Sequence, residues 1–208
     1  MTIGILSIQG DFAAHAVTLQ KLGAQTLEVR TLADLRKSDA LILPGGESTT
    51  QLQFLQEEGL FDAIRQFAAK GRPIFGTCAG AILLAAHVKN PPQPSLALLD
   101  ITVLRNGYGR QLASDVFFGP CTLKKGPLEM VFIRGPIIES LSPDITVLAK
   151  LDGSPTLVQK DNLLAATFHP ELTDDPTVHR HFLSLISKSV HSTKTTAAKS
   201  PRRKQRSS

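Results

Sequence analysis

The sequence predicts an α/β fold: a three-layer, mostly parallel twisted sheet flanked by helices, with additional antiparallel strands in the C-terminal half. Three observations predict it. Short Ile- and Leu-rich runs recur through roughly the first ninety residues and read as buried strands. Helical patterns lie between them, the signature of a doubly wound parallel sheet. Beyond residue 94 the texture changes to strand-like pieces separated by turn residues.

The elements follow in order. Residues 3–8 form the first strand. Gln9-Gly10-Asp11 comes next, then a helical pattern from Phe12 through Ala16 and Leu19 that stops at Gly23. Residues 26–29 read as a second strand and residues 40–43 as a third, ended by Pro44-Gly45-Gly46. Residues 52–69 are helical in character, with a break near Gly59. Residues 73–75 are a fourth short strand, 76–80 a turn, and 79–87 a helix. The three prolines in residues 88–94 make that stretch a loop. Strand-like pieces then fall at 101–104, 115–118, 130–133, 145–148, 156–158 and 163–168. A last helix is expected over 176–188. Pro176 suits a first helical position, and Val178, Phe182, Leu185 and Ile186 share one face. The chain then turns to Ser, Thr, Lys and Arg and is expected to be disordered. The division is one domain over residues 1–190 and a basic tail over residues 191–208.

Composition narrows the function classes. The chain has 208 residues, 42% apolar and 20% charged, normal for a globular protein with a core. Its net charge of +5 invites a nucleic-acid reading, but the last eighteen residues hold six basic residues and no acidic one. Residues 1–190 carry 17 basic against 18 acidic side chains, so the body is near neutral. Neither nucleic acid nor membrane is expected as a partner. No apolar run reaches the roughly 18–20 residues that span a bilayer, and the N-terminus lacks the pattern of a secretory signal. Two cysteines cannot build a disulfide scaffold. A reducing, cytoplasmic location is the expectation.

Three motifs carry chemistry. Gly76-Thr77-Cys78-Ala79-Gly80 follows a strand and opens a helix. It is a nucleophile elbow with Cys where Ser is more familiar. Glycine is needed on both sides because a side chain there would strike neighbouring backbone. The following helix N-terminus favours the thiolate, and the Ala79 N–H is placed to bind an oxyanion. A buried structural cysteine competes with this reading when the five residues are taken alone. Phe168-His169-Pro170-Glu171 follows the strand-like 163–168. A base and a carboxylate two residues apart at a strand end are expected to point the same way, so that Glu171 holds His169 while His169 exchanges a proton with Cys78. Leu43-Pro44-Gly45-Gly46-Glu47-Ser48-Thr49 joins a strand to a helix and offers a second oxyanion donor. No Gly-Lys-Ser/Thr follows, which excludes a P-loop.

Together these segments resemble the class I, triad-type glutamine amidotransferases, and more closely the family of glutaminase subunits of pyridoxal 5′-phosphate synthase. The resemblance runs from residue 3 to about residue 188. It is narrowed by the Pro-Gly-Gly-Glu-Ser-Thr loop, by Arg105-Asn106-Gly107-Tyr108-Gly109-Arg110-Gln111, and by Val131-Phe132-Ile133-Arg134. It implies a class I glutamine amidotransferase-like, flavodoxin-like fold. It implies that Cys78, His169 and Glu171 are the catalytic triad. Gly46, Glu47, Ser48, Arg105, Ile133 and Arg134 are implied to bind L-glutamine, with Gly46 and Ala79 forming the oxyanion hole. No cofactor and no metal are expected. The implied activity is hydrolysis of glutamine to glutamate and ammonia, with the ammonia passing to a synthase subunit, a (β/α)₈ barrel in a dodecameric core. The stretch near Gln9-Gly10-Asp11 is implied to lie at that interface.

Other features stand apart from the resemblance. The loop over 88–94 and the tail lie outside the family pattern, and Cys121 reads as structural. His15, His87, His179 and His181 show no mutual spacing that argues for a metal. Two alternatives remain at this point: a glutaminase serving another acceptor, such as imidazole glycerol phosphate synthase, and a non-catalytic binding module on the same fold.

Overall fold

A computed structural model describes residues 1–105, 107 and 114–186. The chain runs β1 (Thr2–Leu6), α1 (Phe12–Lys21), β2 (Gln25–Val29), α2 (Leu32–Lys37), β3 (Ala40–Leu43), α3 (Ser48–Glu57), α4 (Leu60–Ala69), β4 (Ile74–Thr77), α5 (Ala79–Leu84) and β5 (Ala85–Lys89). It continues as β6 (Leu99–Leu104), β7 (Ser114–Gly119), β8 (Leu128–Ile133), β9 (Ile137–Leu141), β10 (Thr146–Leu151), β11 (Ser154–Lys160) and β12 (Leu163–Ala166). A 3₁₀ turn over Pro170–Leu172 and a helix α6 over residues 177–186 follow.

The main sheet has seven strands in the order β10-β11-β12-β4-β3-β1-β2. From β12 to β2 all pairings are parallel, and β10 and β11 add an antiparallel edge. A three-stranded sheet β5-β6-β9 and a hairpin β7-β8 complete the strands. The expected architecture is therefore present.

Strand periodicity sorts the core into two halves. On β1, Ile3 and Ile5 face one side and Leu6 the other; on β3, Ala40 and Ile42 alternate with Leu41 and Leu43; on β4, Phe75 opposes Ile74. One face packs on α2, α3, α4, α5 and the small sheet. The other packs on α1, α6 and β8, with Phe75, Phe132, Phe168 and Phe182 at its centre. Phe75 is fully buried and lies edge-on to His15 and His179, with ring centroids 6.1 and 6.0 Å away.

Three elements differ from the sequence expectation. The helix expected over 79–87 ends at Leu84, and Ala85–Lys89 is a strand instead. Parallel pairing with β6 overrides the local preference of an Ala-rich stretch. Helix α2 was not anticipated, although Thr31 and Asp34 form a reciprocal cap at its start. Strand β9 was also missed, because Gly135-Pro136 precedes it and reads as a turn. Residues 187–208, which include the tail, lie outside the described residues, as do Asn106, Tyr108, Arg110 and Gln111. Among the described residues no helix is long and apolar enough to cross a membrane.

Phe75 supports both the aromatic core and the histidines behind the site. Phe75→Ala is expected to cost about 3–5 kcal/mol in urea unfolding; a loss below about 1 kcal/mol would show that the aromatic cluster closes over the gap.

Candidate active site

The site sits at the carboxyl ends of β1, β3, β4 and β12. In an open α/β sheet this is where strand order reverses and the connections diverge to leave a crevice. Here β1 leads outward to β2, while β3 lies on its other side.

Cys78 occupies the turn between β4 and α5 with φ 46° and ψ −101°, a left-handed conformation that a non-glycine residue adopts only under constraint. Two contacts supply the constraint. The Cys78 N–H donates to the Ala166 carbonyl at the end of β12, 2.8 Å away. Gly80 lies directly against the Leu43 carbonyl of β3, where no Cβ fits. The turn is thus clamped between the two neighbouring strands, and Cys78 is held at 7% exposure. Its Sγ is 3.9 Å from the Ile133 carbonyl.

His169 is 3% exposed and Glu171 is 5% exposed. The His169 Nδ1–H donates to Glu171 Oε1 over 2.8 Å. The pairing does not arise from alternation along a strand, as the sequence suggests. Strand β12 stops at Ala166, and the Pro170–Leu172 3₁₀ turn folds Glu171 back under the ring. The His169 N–H donates to the Val131 carbonyl over 2.8 Å, which ties the turn to β8. Burial on its own would depress His169, but hydrogen bonding to Cys78 and Glu171, with their charges, outweighs it and raises the imidazolium to about 10. Burial pushes the Glu171 carboxyl up, and the His169 partner pulls it back.

A cavity of about 220 Å³ opens beside these groups, lined by Gly46, Glu47, Ser48, Cys78, Ile82, Arg105, Ile133, Arg134 and His169. Every binding residue expected from the sequence lies on it. Ala79 adjoins Cys78 at the first position of α5. The Glu47 carboxylate caps α3, accepting from the N–H groups of Thr49 at 3.1 Å and Thr50 at 2.8 Å. Burial opposes its ionisation, but those N–H groups hold its carboxyl below the usual range. The Arg105 guanidinium pairs with Glu47 at 3.1 Å. Asp11, His169 and Glu171 are the one group among the described residues with metal-ligand proximity. A cation there would compete for His169 Nδ1, which already serves Glu171.

A family model described as the SNO glutamine amidotransferase family matches residues 5–188. The chain belongs to that family. It is 50% identical over 186 residues to the pyridoxal 5′-phosphate synthase subunit PdxT of Koribacter versatilis, covering 89% of this chain and 96% of that one. It is 46% identical over 187 residues to the protein of the same name from Thermotoga maritima, covering 89% and 100%. A crystal structure described as a glutamine amidotransferase superposes with a TM-score of 0.84 at 43% identity, covering 89% of this chain and 98% of the other. A putative GMP synthase subunit from Thermoplasma acidophilum shares the fold, with a TM-score of 0.65 at 18% identity over 93% of this chain and 98% of that one.

Two residues of this amidotransferase site escaped the sequence reading. Gln93, from the proline-rich loop, accepts from Arg105 Nη1 at 2.6 Å and from the Ser48 hydroxyl at 3.1 Å. The loop set aside as outside the family pattern therefore orients two expected binding residues. Gln51, buried on α3, donates to the Pro44 and Gly45 carbonyls at 3.2 and 3.3 Å and pins the glycine-rich loop. No motif flags either residue, because each is recognisable only by its partners.

Gly45 lies flat against the His169 ring, so an added Cβ would drive into the imidazole. Displacing the base by about 1 Å costs on the order of 100-fold in rate. Gly45→Ala is therefore expected to lower glutamine turnover about 100-fold while circular dichroism stays unchanged, and wild-type turnover would show that the loop yields instead.

Proposed function

We propose that the chain is the glutaminase subunit of a pyridoxal 5′-phosphate synthase, hydrolysing L-glutamine to L-glutamate and ammonia and delivering the ammonia to a synthase subunit. The observation that carries the chemistry is the buried Cys78–His169–Glu171 set opening onto one small polar cavity. Family membership and the PdxT relatives support the assignment to this synthase.

Glutamine is a zwitterion with a neutral carboxamide at its far end. Arg105 and Arg134 line the cavity and suit the α-carboxylate, because a guanidinium offers paired donors. Glu47 and nearby carbonyls suit the α-ammonium. The Cys78 thiolate attacks the carboxamide carbon, and the carbonyl π electrons move to oxygen. N–H groups of Gly46 and Ala79 stabilise that oxyanion, each such donor contributing about 3–4 kcal/mol in related sites. Imidazolium His169 gives its proton to the nitrogen as the C–N bond breaks, releasing ammonia and leaving a γ-glutamyl thioester. Neutral His169 then takes a proton from water, and the resulting hydroxide displaces the Cys78 sulfur to give glutamate. Glu171 holds the ring in one tautomer throughout and stabilises its cationic form.

The partner is proposed as a (β/α)₈-barrel synthase in a dodecameric core, with the Gln9-Gly10-Asp11 stretch at its interface. That stretch contacts the site loop directly: Gly10 packs on the Gly45 carbonyl, and Gln9 Nε2 donates to the Glu47 carbonyl over 3.1 Å.

Cys78→Ala is expected to abolish glutamate release, and a glutamine-like electrophile is expected to label Cys78 alone. Addition of a pyridoxal 5′-phosphate synthase subunit is expected to stimulate turnover, while an imidazole glycerol phosphate synthase partner is not. Unchanged turnover in Cys78→Ala, or stimulation by the second partner instead, would overturn the proposal.

A further inference from the structure

Behind the triad, away from the cavity, lie two buried histidines that the hydrolytic mechanism does not use. His15 on α1 and His179 on α6 are both 0% exposed and stand 164 residues apart in sequence. His15 Nδ1 and His179 Nε2 are 2.9 Å apart. The other nitrogen of His15, Nε2, is 3.2 Å from the Thr77 hydroxyl and 3.4 Å from Glu171 Oε2. Oε2 is the oxygen that His169 does not use, and among the described residues it has no hydrogen-bond partner.

Proton placement follows from this arrangement. One proton must lie between His15 and His179. If His15 supplied it from Nδ1, the Nε2 lone pair would face the Glu171 carboxylate, two concentrations of negative charge with both side chains 0% exposed. His179 would then also bury an unpaired Nδ1–H, the rarer kind of orphan. If His179 supplies it from Nε2, His15 carries its proton on Nε2, facing both Thr77 Oγ1 and Glu171 Oε2. A lone pair on His179 Nδ1 and the Thr77 hydroxyl hydrogen are then left over, but no lone pair faces the Glu171 carboxylate. The second arrangement puts positive hydrogen toward negative oxygen at both contacts of His15 Nε2. We propose that His15 is a positioning residue for the triad, its Nε2–H oriented by His179 to support the outer oxygen of Glu171 and the hydroxyl of Thr77 beside the nucleophile. This inference rests on the glutaminase reading of the same site.

The neighbourhood agrees. Both histidines are held neutral: burial lowers His15, with His179 and His169 adding to the effect, and burial lowers His179 to about 4. A neutral ring can donate to Glu171 without competing with His169 for its charge. Among the described residues, Asp11 also lies near Glu171, its Oδ2 3.7 Å from His169 Nδ1. It adds negative charge, so a donor on the far side of Glu171 is all the more needed to keep the carboxylate ionised. Phe75 stands edge-on to both histidines and fixes their planes.

Two isosteres separate the roles of the ring, tested in the full chain with its synthase subunit. His15→Asn replaces Nδ1 and deletes Nε2–H. His15→Gln places an amide N–H where Nε2–H stood. An N–H that faces a charged oxygen at 3.4 Å without full hydrogen-bond geometry corresponds to at most about 10-fold in an equilibrium. His15→Asn is expected to lower kcat about 10-fold with KM for glutamine nearly unchanged, and His15→Gln to recover most of the rate. In His15→Asn the nitrogen-15 pH profile of the His169 ring is expected to shift downward from about 10. A weaker Glu171 anion supports the imidazolium less. Equal losses in both variants with an unmoved profile, or wild-type kcat in His15→Asn, would overturn the inference. Nitrogen-15 NMR of the wild-type chain reads the His15 tautomer without reference to activity: protonated Nε2 supports the inference and protonated Nδ1 refutes it. If the tautomer is as expected and glutamine is not hydrolysed, the functional reading has failed and the positioning network stands.

Discussion

Glu171 places a carboxylate where its side chain is 0% exposed to solvent, and a charge in that position persists only if N–H groups surround it. The nearest is His169 Nδ1–H at 2.8 Å. Much of the site follows from that single contact. It fixes the ring tautomer, leaves Nε2 to face Cys78, and joins Cys78 in raising the imidazolium of His169. Removing the carboxylate would leave only Cys78 and Asp11, 3.7 Å from Nδ1, to support the imidazolium, so His169 would hold its proton less firmly.

The fold supplies this contact from parts remote in sequence. β12, β4 and β3 are parallel neighbours, so the chain leaves all three at the same edge. From β4 it turns sharply at Cys78, clamped by the Ala166 and Leu43 carbonyls. From β12 it passes through Thr167 and Phe168 into the 3₁₀ turn that carries Glu171. From β3 it enters the glycine-rich loop, whose Gly45 is flat enough to touch the His169 ring. Parallel pairing therefore brings three separate turns together into one surface, the candidate site, and α1 and α6 close it from behind.

Much of this was legible in the sequence, for identifiable reasons. Glycines at 76 and 80 announce a backbone crossing too close for a side chain. Runs such as Ala40–Leu43 announce strands buried on both faces. His169 and Glu171 sit two residues apart, close enough to suggest a pair, although the geometry that joins them is a 3₁₀ turn and not a strand end. What escaped depends on distant partners. Strand β5 is a strand because β6 pairs with it, and its own residues continue a helical pattern. Gln93 looks like loop filler until Arg105 and Ser48 are found donating to it. His15 and His179 have no spacing rule, since the packing of α1 and α6 on one face of the sheet brings them together.

The protonation state of His169 tests the central claim most directly. Nitrogen-15 NMR titration of the imidazole in the folded chain reads it without substrate or partner. With Cys78 and Glu171 both hydrogen-bonded to the ring, both ring nitrogens are expected to stay protonated through neutral pH, with the proton lost only near about 10. A ring that is already neutral at pH 7, with a midpoint at or below the ordinary value of about 6.5, would contradict a triad organised by the buried carboxylate.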